Sequence, residues 1–111
     1  MKIVALVADL MDRSRIDSAL GPVEQVGRVE FTNDATAVAG ADVVLVDLAR
    51  FGDVLSAVRD AAPLARIVAF GPHVDDEAMV RARADGAAAV MARSRFFRDV
   101  RAAAFGTATD R

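Results

Sequence analysis

Apolar runs and amphipathic stretches alternate along the 111 residues of the chain. Five runs rich in Val, Ile, Leu, Phe and Ala have the length of strands, and they cover residues 3–8, 26–31, 43–47, 66–70 and 87–92. The stretches that follow them carry apolar residues at helical spacing, as Val54, Leu55 and Val58 do. They predict helices over residues 11–20, 34–38, 51–60, 75–84 and 95–104. This alternation indicates a parallel sheet covered by helices.

Capping and helix-breaking residues support these boundaries. Gly21-Pro22 ends the first predicted helix, Asn33 caps the second and Ser94 caps the last. Val43 to Val46 are all apolar, which is typical of a strand buried on both faces. We therefore expect one flavodoxin-like, doubly wound α/β domain over residues 1–105, with five parallel strands in the order 2-1-3-4-5 and helices on both faces. Residues 106–111 are expected to form a frayed tail.

Composition narrows the class of protein without identifying it. The hydrophobic fraction is 54% and the charged fraction 27%, as in an ordinary globular domain. A net charge of −2 gives no basic field for nucleic acid, and the absence of Cys excludes disulfides and thiolate chemistry. No apolar run has the length of a membrane span, and the amino-terminal run lacks the pattern of a signal peptide. We expect a cytoplasmic protein that binds neither nucleic acid nor membrane.

Two carboxylates follow strands that the expected order makes neighbours. Asp47 ends the third apolar run, and Asp9 follows the first. Open α/β sheets bind ligands at the carboxyl ends of their strands, where the strand order reverses. We therefore expect Asp9 and Asp47 to converge in one crevice at this edge of the sheet.

These residues carry a resemblance to the receiver domain of bacterial two-component response regulators, the CheY-like fold, over nearly the whole chain. Residues 42–48 (DVVLVDL) are very similar to the family's third strand, and the interval from Gly71 to Arg93 fits the family without a gap. The resemblance implies that Asp47 is the phosphoacceptor position. It also implies that Arg93 stands where the family has a Lys that contacts phosphate, and that Asp9 and Asp47 are the candidate ligands of Mg²⁺.

The departures from the family pattern matter as much as the matches. Ala8 replaces one member of the family's acidic pair, Gly71 replaces its Thr or Ser, and Val90 replaces the switching aromatic residue found in many members. The segment after Asp47 is about six residues shorter than is usual. Mg²⁺ needs near-octahedral oxygen coordination, so two carboxylates predict weak binding at best. The pattern indicates a receiver with a degraded phosphorylation site.

Three functional hypotheses follow. The first is a stand-alone, atypical receiver-like module, not an enzyme, that signals or acts as an adaptor through protein contacts. The second is a working phosphoacceptor in which Asp47 is phosphorylated, Asp9 holds Mg²⁺ and Arg93 stabilises the transferred charge. The third is a flavodoxin-like protein that binds a small ligand in the same crevice.

Partners and surface roles follow from the first hypothesis. The expected partners are a histidine kinase or a downstream signalling protein, and a homodimer would form through the last two helices and the fifth strand. Small residues would allow close packing there, namely Ala78, Ala82, Ala102 and Ala103. Asp12 is expected to be exposed on the first helix, and His73 to lie in a loop without a role. One of Phe96 and Phe97 is expected in the core.

Overall fold

The strand order of the sheet matches the sequence-based expectation. A computed structural model of the chain describes residues 1–21, 27–72 and 76–106. Five parallel strands form one sheet in the order β2-β1-β3-β4-β5. Their bounds are β1 Ile3–Leu6, β2 Glu30–Phe31, β3 Val43–Asp47, β4 Arg66–Gly71 and β5 Ala89–Ala92. The doubly wound α/β prediction is confirmed.

The helices connect successive strands and pack around the sheet. They are α1 Leu10–Leu20, α2 Leu48–Phe51, α3 Leu55–Ala61, α4 Asp76–Ala84, α5 Arg93–Arg98 and α6 Val100–Phe105. Two 3₁₀ turns, at Ala35–Val38 and Gly52–Val54, complete the order. Among the described residues, no helix combines the length and the apolar character that a membrane crossing requires.

Side chains of β3 alternate between two hydrophobic layers. Val43 and Leu45 join a layer with residues of α1, α5 and α6, while Val44 and Val46 join a layer with residues of α3 and α4. Every residue of β3 is buried, so the strand lies at the centre of the sheet with helices on both of its faces. This accounts for the uninterrupted apolar run in the sequence.

Two predicted helices are broken in the structure. The helix expected at residues 51–60 consists of α2, a 3₁₀ turn and α3, because Asp47 starts a helix earlier than predicted and Gly52 is a poor residue for a helix interior. The last predicted helix breaks at Asp99, whose backbone is extended and whose side chain accepts the N–H of Ala102 at 3.0 Å. This side-chain bond caps a new helix in place of continuing the old one.

Two helix caps differ from those predicted from the sequence. Asp34, not Asn33, caps the 3₁₀ turn, with its Oδ1 accepting the N–H of Thr36 at 2.9 Å. Ser94 caps nothing, because α5 starts directly after β5 with Ala92 at the capping position. The reason is that Arg93 is already helical, so no linker residue remains to cap α5.

The small residues proposed for a dimer surface are mostly interior. Ala82, Ala102 and Ala103 are buried among core residues of the chain itself, which makes that expected use of them wrong. Phe96 is fully buried and Phe97 is half-buried, as expected of that pair. His73, Val26 at the start of the second predicted strand, and residues 107–111 of the predicted tail lie outside the described residues.

Candidate functional site

The carboxyl ends of β3, β4 and β5 lie side by side. Asp47 is in register with Phe70 of β4, and Gly71 is in register with Ala92 of β5. Arg93 follows Ala92 directly. On the other side, β1 pairs with β3 up to Leu6 and Val46, so the segment that leads to Asp9 emerges at the same edge. The topology therefore gathers the predicted site residues at one edge of the sheet.

Asp47 is buried and acts as a helix cap. Only 5% of the residue is exposed. Its Oδ1 accepts the N–H of Ala49 at 3.0 Å, and α2 begins at the next residue. The strand thus runs into a helix without an intervening loop. This agrees with the sequence, in which the segment after Asp47 is shorter than is usual for a receiver. A buried carboxylate at a helix N-terminus is stabilised by the unpaired N–H groups there.

Asp9 occupies the corresponding position after β1, but it is exposed. Its Oδ1 accepts the N–H of Asp12 at 2.9 Å, so it caps α1. Capping fixes the start of the helix and sets Asp12 one turn further on. Both candidate metal ligands therefore have one carboxylate oxygen bonded to a backbone N–H.

Asp12 is buried, and the expectation that it would be exposed is wrong. Its two carboxylate oxygens accept hydrogen bonds from both terminal nitrogens of Arg93, at 2.7 Å and 3.0 Å. The side chain of Asp12 is 6% exposed and that of Arg93 is 37% exposed. This two-point geometry is the strongest form of an Arg–carboxylate pair. It joins α1 to the end of β5 across the carboxyl edge of the sheet.

The guanidinium of Arg93 packs on the ring of Phe97, which belongs to a cluster of three aromatic side chains. The guanidinium lies 4.9 Å from the ring centroid of Phe97, one helical turn further along α5. Phe97 packs edge-on against Phe70 and Phe96, whose rings stack with their centroids 4.2 Å apart. Because Phe96 and Phe70 are core residues, the aromatic support is anchored in the interior. It restricts Arg93 to the orientation that meets Asp12.

The charges around Arg93 are predominantly negative. The hydrogen bonds to Asp12 raise the pKa of Arg93 above its ordinary value, partial burial opposes this, and the charges of Asp12, Asp47 and Asp9 raise the pKa further. The charges of Asp47 and Asp9 therefore favour the cationic form of Arg93, as the charge of Asp12 does. Arg93 is therefore a permanent cation among three acidic residues.

These residues do not fit the Mg²⁺ site that the fold family implies. Within the described ranges, no group of three or more His, Cys, Asp or Glu side chains is placed to hold a metal ion. Ala8 has no side-chain oxygen, and both oxygens of Asp12 are bonded to Arg93. What remains is Asp9 and Asp47, each with one oxygen serving as a helix cap. Mg²⁺ prefers several hard oxygen ligands in a regular octahedron, which this set does not provide.

The switch positions of the receiver pattern are also changed in the structure. Gly71 ends β4 between Asp47 and Arg93 and offers no hydroxyl. Val90 is buried in the layer formed with α3 and α4, so its side chain is part of the core. Neither residue has the groups that a Thr and an aromatic residue would bring to these positions.

The sequence carries a signal for the role of Asp12 in the spacing of residues along α1. Asp12, Ile16 and Leu20 are spaced four residues apart, and all three are buried on the same face of α1. An acidic residue on the inward stripe of a helix requires a basic partner. That spacing could have predicted a buried ion pair, although not that Arg93 would be the partner.

A cavity of about 720 Å³ lies beside the same edge, between α2 and α4. Among the described residues, its walls include Leu48, Gly71 and Pro72, and its polar side chains are Asp53, Arg81 and Asp85. Such a cavity is large enough for a small ligand, but few polar groups from the described part of the chain converge in it.

Comparison with known proteins identifies the fold. No family model matches the sequence, and no curated protein matches it. Solved structures do match. A response regulator protein from Burkholderia pseudomallei, solved with a phosphorylated aspartic acid, a calcium ion and citrate, is 22% identical with a TM-score of 0.70, over 98% of this chain and 69% of that one.

Two further structures show the same likeness. A response regulator from Hahella chejuensis is 24% identical with a TM-score of 0.70, over 85% of this chain and 80% of that one. A CheY-like protein, tadZ, from Pseudomonas aeruginosa is 19% identical with a TM-score of 0.65, over 85% and 87% of the two chains. Together with the strand order, these matches show that the chain has the CheY-like receiver fold of response regulators.

Proposed function

We propose that the chain is a receiver-like signalling module that acts through contacts with protein partners, and that its output does not depend on phosphorylation of Asp47. The receiver fold supports a place in signalling, although a fold alone does not define a function. The observation that carries the second part is the ion pair between Asp12 and Arg93. It engages the cation that would otherwise be available to a phosphoryl group.

Phosphoryl transfer to Asp47 would need countercharge and hydrogen-bond donors for the incoming group. One N–H of each terminal nitrogen of Arg93 already donates to Asp12, which holds the guanidinium in that orientation. Gly71 offers no hydroxyl, and the acidic residues do not fit Mg²⁺. The exposed carboxylate of Asp9 at the same edge would repel a phosphoryl donor. Each of these features disfavours the transfer, and together they favour a module with one stable conformation.

The partners that we propose are proteins of a two-component pathway in the cytoplasm, either a histidine kinase or a downstream signalling protein. We propose that the contact surface includes the outer face of α5, where Arg98 is exposed. We propose neither an enzymatic step nor contact with nucleic acid or membrane. Because the Asp12–Arg93 pair fixes the start of α5, this surface would be presented in the same form whether or not a phosphodonor is present.

The proposal predicts that Asp47→Asn behaves like the wild type. Purified protein would be incubated with Mg²⁺ and acetyl phosphate and analysed by intact-mass spectrometry. We expect no stoichiometric phosphate adduct in either protein. A stoichiometric adduct in the wild type that is lost in Asp47→Asn would contradict the proposal.

The same pair of proteins tests the contact in cells. A photo-cross-linking residue at Arg98 should capture the same partner in the wild-type and Asp47→Asn backgrounds. The matched control places it at Leu64, which is exposed ahead of β4 at the opposite edge of the sheet and should not capture that partner. Capture at Arg98 that depends on an intact Asp47 would show that phosphorylation controls the contact.

A working phosphoacceptor is the second candidate function. Its support is that Asp47 ends β3 at the carboxyl edge of a receiver fold, and that the related structure from Burkholderia pseudomallei holds a phosphorylated aspartic acid. For this function, Arg93 would have to leave Asp12 and turn to the phosphoryl group. The mass measurement described above distinguishes the two candidates directly.

A further inference from the structure

The side chain of Arg93 explains why the acidic residues at this edge do not fit a Mg²⁺ site. Asp9, Asp12 and Asp47 come from the ends of β1 and β3 and from the first turn of α1. Three carboxylates at one edge need countercharge, and two of these residues are buried. The guanidinium of Arg93 is bonded to one of them directly.

We propose that the guanidinium of Arg93 is the built-in cation of this edge, in place of a divalent metal ion, so that the folded state is independent of Mg²⁺. The inference concerns the electrostatics of the edge and does not require a particular signalling partner. It would stand even if the partner were not a two-component protein.

The shape of the edge explains how Arg93 can take this place. Strand β4 separates β3 from β5, and it ends in Gly71, which has no side chain. At this position β4 contributes only backbone atoms to the edge between the end of β3 and the start of α5. Arg also carries its charge on a planar group with several donors, so it can hold both oxygens of Asp12 while Phe97 supports one face.

A resident guanidinium excludes a divalent ion for two reasons. It occupies both oxygens of Asp12, which removes one of three acidic residues as a ligand. Its positive charge also repels a second cation among the remaining carboxylates. Removal of Arg93 should therefore do more than weaken the fold. The three carboxylates are not grouped around a metal position while Arg93 holds Asp12. Without Arg93, Asp12 is free to turn towards Asp9 and Asp47, and the variant should gain a site for a divalent cation.

The test compares wild type, Arg93→Met and Arg101→Met by thermal unfolding with and without 10 mM MgCl₂ or MnCl₂, followed by circular dichroism. Arg101→Met is the matched control, since it removes the same charge from an exposed position on α6. The wild type and the control should keep their Tm within about 1 °C. Arg93→Met should melt at a lower temperature and regain at least about 3 °C with either ion, because binding to the folded state raises Tm.

Two outcomes would overturn the inference. One is a folded Arg93→Met protein whose Tm does not respond to the ions. The other is a wild-type Tm that rises as much as that of the variant.

If Arg93→Met does not fold, the wild type alone still decides the question. Mn²⁺ at 1 mM should not selectively broaden the amide NMR signals of Asp9, Asp12 and Asp47. Selective, saturable broadening of these signals would show that the wild type itself binds the ion. That result would overturn the role of Arg93 and leave the proposed protein contacts untouched, which are tested by the cross-linking experiment.

Discussion

The strength of the Asp12–Arg93 pair can be measured with a double-mutant cycle. The variants are Asp12→Ala, Arg93→Met and the double substitution, and the quantity is the free energy of unfolding. The two partners differ in exposure, with 6% of the Asp12 side chain and 37% of the Arg93 side chain accessible. Each single variant leaves the other residue without its ion-pair partner. The loss of unfolding free energy should therefore be larger for the variant that leaves the more buried charge unpaired.

The structure sets the expected magnitudes between two limits. Removing one member of a fully buried pair costs about 3–5 kcal/mol, whereas an exposed pair contributes about 0–1 kcal/mol. Arg93→Met leaves a buried carboxylate without a partner, and we expect a loss of about 2–4 kcal/mol. Asp12→Ala leaves a guanidinium that can reach water, and we expect about 1–2 kcal/mol. Because Arg93 is more than a third exposed, the coupling should be about 1–2 kcal/mol.

Urea unfolding followed by far-ultraviolet circular dichroism is the suitable assay, since the chain has no Trp and no Tyr to serve as a fluorescent probe. The matched control is the cycle on Glu77 and Arg81. Their charged groups are 3.8 Å apart on α4, with side chains 86% and 68% exposed. This pair should couple by at most about 0.5 kcal/mol.

Two results would refute this reasoning. The first is a coupling between Asp12 and Arg93 no larger than that of the control pair. The second is an Asp12→Ala variant that loses as much stability as Arg93→Met. Either would mean that the burial of Asp12 does not determine the energy of the pair.

Two further predictions concern local structure. Gly86→Ala should destabilise the fold by about 1–2 kcal/mol in urea unfolding, because φ is +112° and the new Cβ would clash with Cδ of Arg59. Gly52→Ala, in open space at an ordinary φ, should be neutral or slightly stabilising, and equal effects of the two substitutions would contradict this. The hydroxyl and the N–H of Thr36 lower the pKa of Asp34, so its contribution to stability is present above the unfolded pKa and is lost as the pH falls through the folded value. Thr36→Val should raise the Asp34 pKa in an NMR titration of its carboxyl carbon, and an unchanged midpoint would contradict the hydroxyl's part.

The sheet could be predicted from the sequence because its strands depend on local pattern. Val43 to Val46 read as a strand buried on both faces, and they lie at the centre of the sheet. Short connections and the handedness rule then restrict the order of five parallel strands to few choices. Since the order fixes which strand ends are neighbours, the location of the candidate edge followed as well.

Helix boundaries depend on competition between side-chain and backbone hydrogen bonds, which the spacing of apolar residues does not describe. Asp99 has a carboxylate that can bond a backbone N–H three residues ahead, and this bond outweighed the helical pattern around it. Asp47 did the same at the end of β3. In both cases an acidic side chain restarted a helix at a position where spacing alone predicted a continuous helix or a loop.

The partner of Asp12 could not be predicted, because the two members of the pair are 81 residues apart in sequence. The spacing of Asp12, Ile16 and Leu20 marks an inward face, but only the folded sheet brings the start of α1 against the start of α5. The receiver pattern assigns a role to Asp9 and none to Asp12.

The departures at the carboxyl edge depend on one another. Gly71 removes a side chain from between β3 and β5, and Arg93 presents a forked donor group at the edge thus opened. Asp12 can be buried only because Arg93 meets both of its oxygens. Among the described residues, no fully buried side-chain nitrogen or oxygen lacks a hydrogen-bond partner. Simple loss of a phosphorylation site would leave unpaired charges at this edge. The satisfied hydrogen-bond network instead favours a different use of the same fold, in which a fixed ion pair holds one conformation.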